Sequence, residues 1–307
     1  MVNRLGADNN VVNRNADTIQ IIDPQQGYTT PANAQVSVDS GTNPQDIAFV
    51  NANKAYVSRR ERTSRLLILN PTTLAKLGEL DLRSLIKVND FDGSPEPAYM
   101  LVNNGLLYVA LQHFGNLGPV APGEIVVIDP ATDSIVKVIQ LLQFTNPFSP
   151  LHFSPTLKRI LVSCVGMFGV MDGGIVAIDP TTNTVDTTLS ITEVALGGDI
   201  TDFEIVSSTK GYAVVIDTNV TNSPNVTNSL VTFNPSTGKR LTTVLDRLNA
   251  DITHLAINSR NELYVAVNST TAILAGVRVF DTATDRDLIP GPLNVGQFPP
   301  FWILFLE

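Results

Sequence analysis

Three polar residues stand at matching places along the chain, and their types could hold a cation. They are Asp46 in "QDIAFV", Asp202 in "TDFEIV" and His254 in "THLAI", each early in a short β-rich run. Carboxylate and imidazole groups ligate divalent metals, so convergence of the three would make a metal site able to assist hydrolysis. The matching positions of the other runs are Ala98, Pro150 and Phe301, which ligate nothing, while Glu96 and Glu204 bring carboxylates in a different register. Asp90 and Asp92 in "NDFDGS" start like a calcium loop but lack its later ligands. The plainer reading of all these groups is that they bond to water or to neighbouring backbone and turns.

Other side chains suit binding better than catalysis. His113 and Phe114 open one long loop, and Met167, Phe168 and Met171 sit in the equivalent loop of the next repeat; as an exposed patch they would contact a partner. Arg59, Arg60, Arg62 and Arg65 have only Glu61 among them and could grip an anion or an acidic surface. Cys164 lies in the apolar run "RILVSCVG", where a thiol is a small buried hydrophobe, and His152 reads as a core residue. Asn219, Asn225 and Asn268 head glycosylation triplets, which points to exposed loops. The sequence carries no phosphate-binding glycine loop, zinc pattern or nucleophile elbow.

These residues must be positioned by a repeat. An apolar residue, then Asp or Asn, then usually Pro recurs six times: Ile22-Asp23-Pro24, Leu69-Asn70-Pro71, Ile128-Asp129-Pro130, Ile178-Asp179-Pro180, Phe233-Asn234-Pro235 and Phe280-Asp281-Thr282. Thr73, Thr132, Thr182, Thr237 and Thr284 follow in five copies. The Asp/Asn positions are 47, 59, 50, 55 and 47 residues apart, and 49 more lead from Asp281 round through the termini to Asp23. Asp or Asn bonding back to the backbone, with Pro presetting φ, makes a tight turn. A β-rich run stands on each side of it, as in "EIVVI" before and "SIVKVIQL" after, so each copy predicts a hairpin. A second pair of runs lies upstream, such as "QDIAFV" with "KAYVSR".

Four short strands, A to D, in each roughly 50-residue repeat predict an all-β chain folded as a β-propeller. The expected blades span 44–82, 96–142, 149–192, 200–246 and 252–294, with a closing blade made of 1–39 and 299–307. That arrangement gives one domain of six blades, or seven if two have merged. The ring would be closed by the C-terminal strand A pairing with N-terminal strands B to D. The B–C loops "RRERTS", "HFGNLGPVAPG", "GMFGVMDGG", "TNVTNSPNVTN" and "NSTTAILAG" and the D–A loop "RSLIKVNDFDGSPE" share one face, and their variety marks it for binding.

"KAYVSR", "LLYVAL" and "ELYVAV", each followed by an "IDPxT"-like hairpin, resemble the YVTN-type repeat of microbial surface-layer propeller proteins. The resemblance runs over nearly the whole chain, although that tetrapeptide itself does not occur. It implies a secreted or surface-attached scaffold, and we expect the start of the chain to follow a removed leader. Sparse charge and a formal net charge of −9 exclude disorder and argue against nucleic acid as partner. No apolar run is long enough to span a bilayer as a helix. The leading expectation is a binding or scaffold module, with a protein, a cell-surface component or further copies of itself as partner. The alternative is a metal-dependent, lactonase-like hydrolase, with Ca2+ or another divalent cation held at the channel mouth by Asp46, Asp202 and His254.

Overall fold

The computed structural model describes residues 2–5, 8–23, 26–27, 29–90, 93–217, 227–248, 250–268, 275–296 and 299–305. They build antiparallel sheets in chain order. The first comprises β1 (Val2–Leu5), β2 (Asp8–Asn13), β3 (Thr18–Ile22) and β4 (Gln35–Ser37). The second comprises β5 (Pro44–Asn51), β6 (Lys54–Arg59), β7 (Arg65–Leu69) and β8 (Lys76–Asp81). The third runs β9 (Pro97–Asn103), β10 (Leu106–Leu111), then, past a small ribbon of β11 (Phe114–Gly115) and β12 (Gly118–Pro119), β13 (Glu124–Asp129) and β14 (Ser134–Gln140).

After β15 (His152–Ser154), the fourth sheet pairs β16 (Arg159–Cys164) with β17 (Gly174–Asp179). Beyond β18 (Thr184–Val185), β19 (Ile191–Thr192) also pairs with β17, and the short α1 (Glu193–Leu196) follows. The fifth sheet holds β20 (Asp199–Ser207), β21 (Lys210–Asp217), β22 (Thr227–Asn234) and β23 (Lys239–Leu248). The sixth holds β24 (Ile252–Ile257), β25 (Glu262–Val267) and β26 (Gly276–Asp281).

The described chain divides into two compact units, 1–153 with 179–185, and 154–178 with 186–307. Inside each, side-chain alternation explains why the middle strands read as continuous apolar runs. In the first unit, Ala55, Val57, Leu67 and Leu69 of the second sheet join a core with Ile19 and Ile21 of the first. The intervening Tyr56, Leu66 and Ile68 join another with Leu107, Val109 and Val126 of the third. The second unit repeats the pattern, with Ala213, Val215 and Val231 packing toward Leu161 and Ile175, and Tyr212, Val214 and Leu230 toward Leu263 and Val265.

The recurring turn carries more than the motif announced. Its fifth residue has positive φ in every copy: Gly27 (70°), Leu74 (60°), Asp133 (52°), Asn183 (53°), Gly238 (67°) and Asp285 (60°). Asp and Asn tolerate this left-handed region, glycine does so freely, and Leu74 adopts it as a buried side chain. Where the fifth residue is Asp or Asn, it accepts a hydrogen bond from a tyrosine of the preceding sheet. Tyr56 bonds Asp133, Tyr108 bonds Asn183 at 2.6 Å, and Tyr212 bonds Asp285. Lys54 and Lys210 reinforce two of these latches through the carbonyls of Pro130 (2.7 Å) and Thr282 (2.6 Å). At the sheet-four position equivalent to these tyrosines stands Leu161, and the corresponding fifth residue is Gly238, which offers no acceptor.

Two expectations are corrected. The C-terminal segment was expected as the inner strand of the N-terminal sheet; instead β1 pairs with β2 in that sheet, and 299–305 carries no strand. A hairpin across two residues closes at far less entropic cost than pairing of distant termini. The segment's described contacts are with the sixth sheet: Ile303 N–H to His254 Nδ1 at 3.4 Å, and Thr253 Oγ1 to the Pro300 carbonyl at 2.9 Å. The expected outer strand of the sixth repeat is likewise reduced to isolated bridges, Val277 with Leu293 and Phe280 with Asp287. Pro290 and Pro292 remove the donors a ladder needs there.

The latch makes a graded prediction. Tyr212→Phe and Asp285→Ala should each destabilise the fold by about 1.5–3 kcal/mol, the usual range for a hydrogen bond to a charged group. Asp285→Asn, the pairing used by Tyr108 and Asn183, should cost much less. Urea midpoints of the three variants check the order.

Candidate functional site

In the first unit, the loops after the B strands are knitted at their bases by polar side chains. Arg60 follows β6, donates from Nε to Gln112 Oε1 at 2.9 Å, and lays its guanidinium over the Phe114 ring at 5.5 Å. Gln112 passes the link on through Nε2 to Asn146 Oδ1 (3.0 Å) and the Pro147 carbonyl (3.2 Å). Phe114 N–H donates to Glu96 Oε2 at 2.6 Å, and Ser94 Oγ donates to the Arg60 carbonyl at 2.8 Å. His113 is fully buried, with Nε2 3.0 Å from Glu124 Oε2, and Glu124 Oε1 takes Lys87 Nζ at 2.6 Å. Burial pushes the Glu124 carboxyl up, but the bonds from His113 and Lys87 outweigh it and hold the group below its ordinary value.

His113 and Glu96 both take positive φ, 53° and 46°, unusual for side chains of that size and tolerated because the surrounding bonds dictate the path. The loop ends above this base are exposed and apolar. Val88 is 99% and Leu117 93% accessible. A rigid base under exposed apolar tips can present a fixed contact surface.

The structure therefore brings Arg60, His113 and Phe114 together with Glu96, and adds Lys87, Gln112 and Glu124, which sequence reasoning missed. One signal was available: Glu124 opens its C strand where Gly174 and Thr227 open theirs. Arg59 does not join this cluster. It is fully buried and ion-paired with Asp39 at 2.7 Å and with Glu79. Arg65 also reaches Glu79, at 3.4 Å, and Arg62 packs its guanidinium beside Gly41. Asp90 is buried in the D–A loop. Asp92, Asn219 and Asn225 lie outside the described residues; Asn268 is described and donates its N–H to the Asp251 carbonyl at 2.9 Å.

In the second unit, the loop 165–173 is clamped by three carboxylates. Asp172 Oδ1 accepts from Met167 N–H (3.1 Å), Asp199 Oδ2 from Gly169 N–H (2.9 Å), and Glu193 Oε2 from Gly173 N–H (2.7 Å). Glu193 and Asp199 are fully buried. Burial raises Glu193 to about 8, aided by the charges of Asp199 and Asp172 and opposed by the N–H bonds from Gly173 and Ile200. Asp199 is raised as well, chiefly by burial. Cys164 beneath the loop is buried, and burial with the Glu193 charge pushes its thiol up, away from reactivity. Met167 and Phe168 are exposed at the loop's tip and Met171 is half-buried.

The inner-strand groups considered as cation ligands are tied to backbone. Asp46 accepts the N–H groups of Ile47 (2.7 Å) and of Met100 on the next sheet (2.8 Å). Asp202 does the same with Phe203 (2.9 Å) and Leu255 (2.8 Å). His254 accepts from Ile303 in the equivalent register and stacks on Trp302, ring centroids 3.7 Å apart. Burial lifts Asp202 to about 7, and burial together with the Asp202 charge lifts half-buried Glu204 to about 8. His152 is depressed to about 4 by burial alone. Among the described residues, no three His, Cys, Asp or Glu side chains group so as to hold a metal ion, and no helix is long and apolar enough to cross a membrane.

Comparison with solved structures decides the fold. Hydrazine synthase of Kuenenia stuttgartiensis superposes with a TM-score of 0.66 at 15% identity, over 90% of this chain and 74% of that one. The Dos1 propeller superposes with a TM-score of 0.63 at 12% identity, over 95% and 69%. The fold is that of a β-propeller. At such identities the likeness carries the fold alone. No family model matches the propeller's sequence, and no curated protein matches it either.

Raised carboxyl groups under the 165–173 loop make the propeller's stability pH-dependent. The folded Glu193 value of about 8 lies above the ordinary 4.5, so its contribution is full below about 4.5 and is lost as pH rises through about 8. Glu193→Gln stays neutral and should flatten part of that decline. The remainder belongs to Asp199, Asp202 and Glu204, which are raised as well. Urea midpoints of wild type and variant between about pH 5 and pH 9 test this; parallel curves would refute it.

Proposed function

We propose that the chain is a six-bladed propeller acting as a non-enzymatic binding or scaffold module, secreted or at the cell surface, through its B–C and D–A loops. The observation that carries this reading is the contrast within those loops. Their bases are fixed by buried polar bonds through Arg60, Gln112, His113 and Glu124, while Val88 and Leu117 are left almost fully exposed at their ends. Exposed apolar side chains on a rigid mount lose little freedom on contact, which favours association. The six turns, each with its left-handed fifth residue, support six blades, and the YVTN-like strands support a surface-associated setting. The partner class is a protein or cell-surface component, and further copies of the same chain would extend the scaffold.

The reading is tested with a Val88→Ser/Leu117→Ser double variant. Neither side chain contributes to the core, so the urea midpoint should stay unchanged. Co-sedimentation with cell envelopes of the producing organism should fall at least tenfold. Unaltered co-sedimentation, or none by wild type, would remove the proposal.

A further inference from the structure

Of the two buried carboxylates that clamp the loop 165–173, Asp199 is the one left incompletely bonded. Its Oδ2 accepts the Gly169 N–H at 2.9 Å, while its Oδ1 has no hydrogen-bond partner although the residue is fully buried. Glu193 differs: its Oε2 meets the Gly173 N–H at 2.7 Å and its Oε1 the Ile200 N–H at 3.3 Å. A buried carboxylate oxygen without a partner is costly, and folds relieve it with a donor, a proton or an ion.

The charges acting at this point are of one sign. Asp172 acts on both Asp199 and Glu193, Asp199 acts on Glu193, and backbone N–H groups are what opposes them. Asp172 stands at the exposed edge of the loop, so an ion can reach its carboxylate from water. Its Oδ1 accepts the Met167 N–H at 3.1 Å and packs so closely on Gly166 that a Cβ there would lie 1.9 Å away. That contact fixes the Asp172 side chain against the loop and keeps it facing the same cluster.

We propose that Asp199 and Asp172 hold Ca2+ beneath the loop 165–173, Asp199 through its unpartnered Oδ1 and Asp172 from the solvent edge, with loop carbonyls and water completing the shell. Oxygen donors suit a hard cation, and Ca2+ accepts carbonyl and water oxygens beside carboxylates in an irregular shell. Two acidic side chains therefore serve where three do not converge. The ligands are not those considered at the inner strands, where Asp46, Asp202 and His254 are tied to backbone. The bound ion joins the start of β20 to the loop and stabilises the fold by mass action. The proposal stands apart from the binding-module reading, which neither requires nor excludes it.

The test is calorimetric titration of the full chain with CaCl2 and with MgCl2, after EDTA treatment and dialysis into about 0.15 M KCl, which screens diffuse attraction to the acidic surface. The titrated proteins are wild type, Asp199→Asn, Asp172→Asn and Asp202→Asn. Asparagine at 199 keeps an oxygen for the Gly169 N–H and turns an amide toward the place of the ion. The expected result is one saturable Ca2+ site with a Kd of about 10⁻⁴ to 10⁻³ M, the range of extracellular Ca2+ modules. Asp199→Asn and Asp172→Asn should each weaken it at least tenfold, Asp202→Asn should leave it unchanged, and Mg2+ should bind several-fold more weakly. Ca2+ should also raise the urea midpoint of wild type and not that of Asp199→Asn. No saturable heat with CaCl2 overturns the proposal and leaves a proton as what relieves Oδ1. Binding that survives in both Asp199→Asn and Asp172→Asn, or is lost in Asp202→Asn alone, overturns it as well. Should Asp199→Asn fail to fold, Asp172→Asn, at an exposed residue, decides the outcome.

Discussion

A tyrosine hydroxyl meeting a left-handed Asp or Asn in the next sheet's turn holds three pairs of neighbouring sheets together at their outer turns. The turn residue has two tasks. It bends the chain with a φ that most side chains avoid, and it aims a carboxylate or amide at the hydroxyl of Tyr56, Tyr108 or Tyr212. Burial and the facing Asp133 or Asp285 charge raise the Tyr56 and Tyr212 hydroxyls, so the proton stays on the tyrosine as donor. Each latch is local in its turn yet joins residues more than 70 positions apart, from Tyr56 to Asp133 and from Tyr212 to Asp285.

A second set of bonds works at the inner strands. Asp46 and Asp202 each accept one N–H from their own strand and one from the next sheet. Burying a carboxylate is costly unless its lone pairs are met, and two backbone donors reduce that cost. For Asp202 the donors do not cancel it, since the group still rises to about 7. The same residues that suggested a cation site thus serve as staples between neighbouring strands. With outer latch and inner staple both made by repeat positions, the loops beyond the strands are free to vary, and exposed apolar side chains occur there, at Val88 and Leu117, as well as on strands, at Leu77 and Val136.

The repeat, the strand runs and the turn chemistry were legible because each is a local pattern of period two or of about fifty residues. The second, third and fifth sheets fall where the runs were read, and Cys164 is buried as its apolar run implied. His113, expected with Phe114 as part of an exposed patch, is instead buried against Glu124, because its ring nitrogen finds a carboxylate there. The arginine cluster was not separable by sequence, since adjacent residues on a strand end point opposite ways. Arg59 turns inward to Asp39 and Glu79, while Arg60 turns to Gln112 and Phe114.

Composition and periodicity therefore determined the all-β class, the hairpins and the positions of the variable loops, because those follow from side-chain alternation and backbone preference within a few residues. Tertiary structure decided which polar groups are tied to other strands. Asp46 and Arg59 found their partners outside their own strands, the C-terminal segment settled beside His254 and Tyr264, and the loop 165–173 kept its apolar tip exposed. Those outcomes depend on distances between residues far apart in the chain, which spacing along one sequence does not encode.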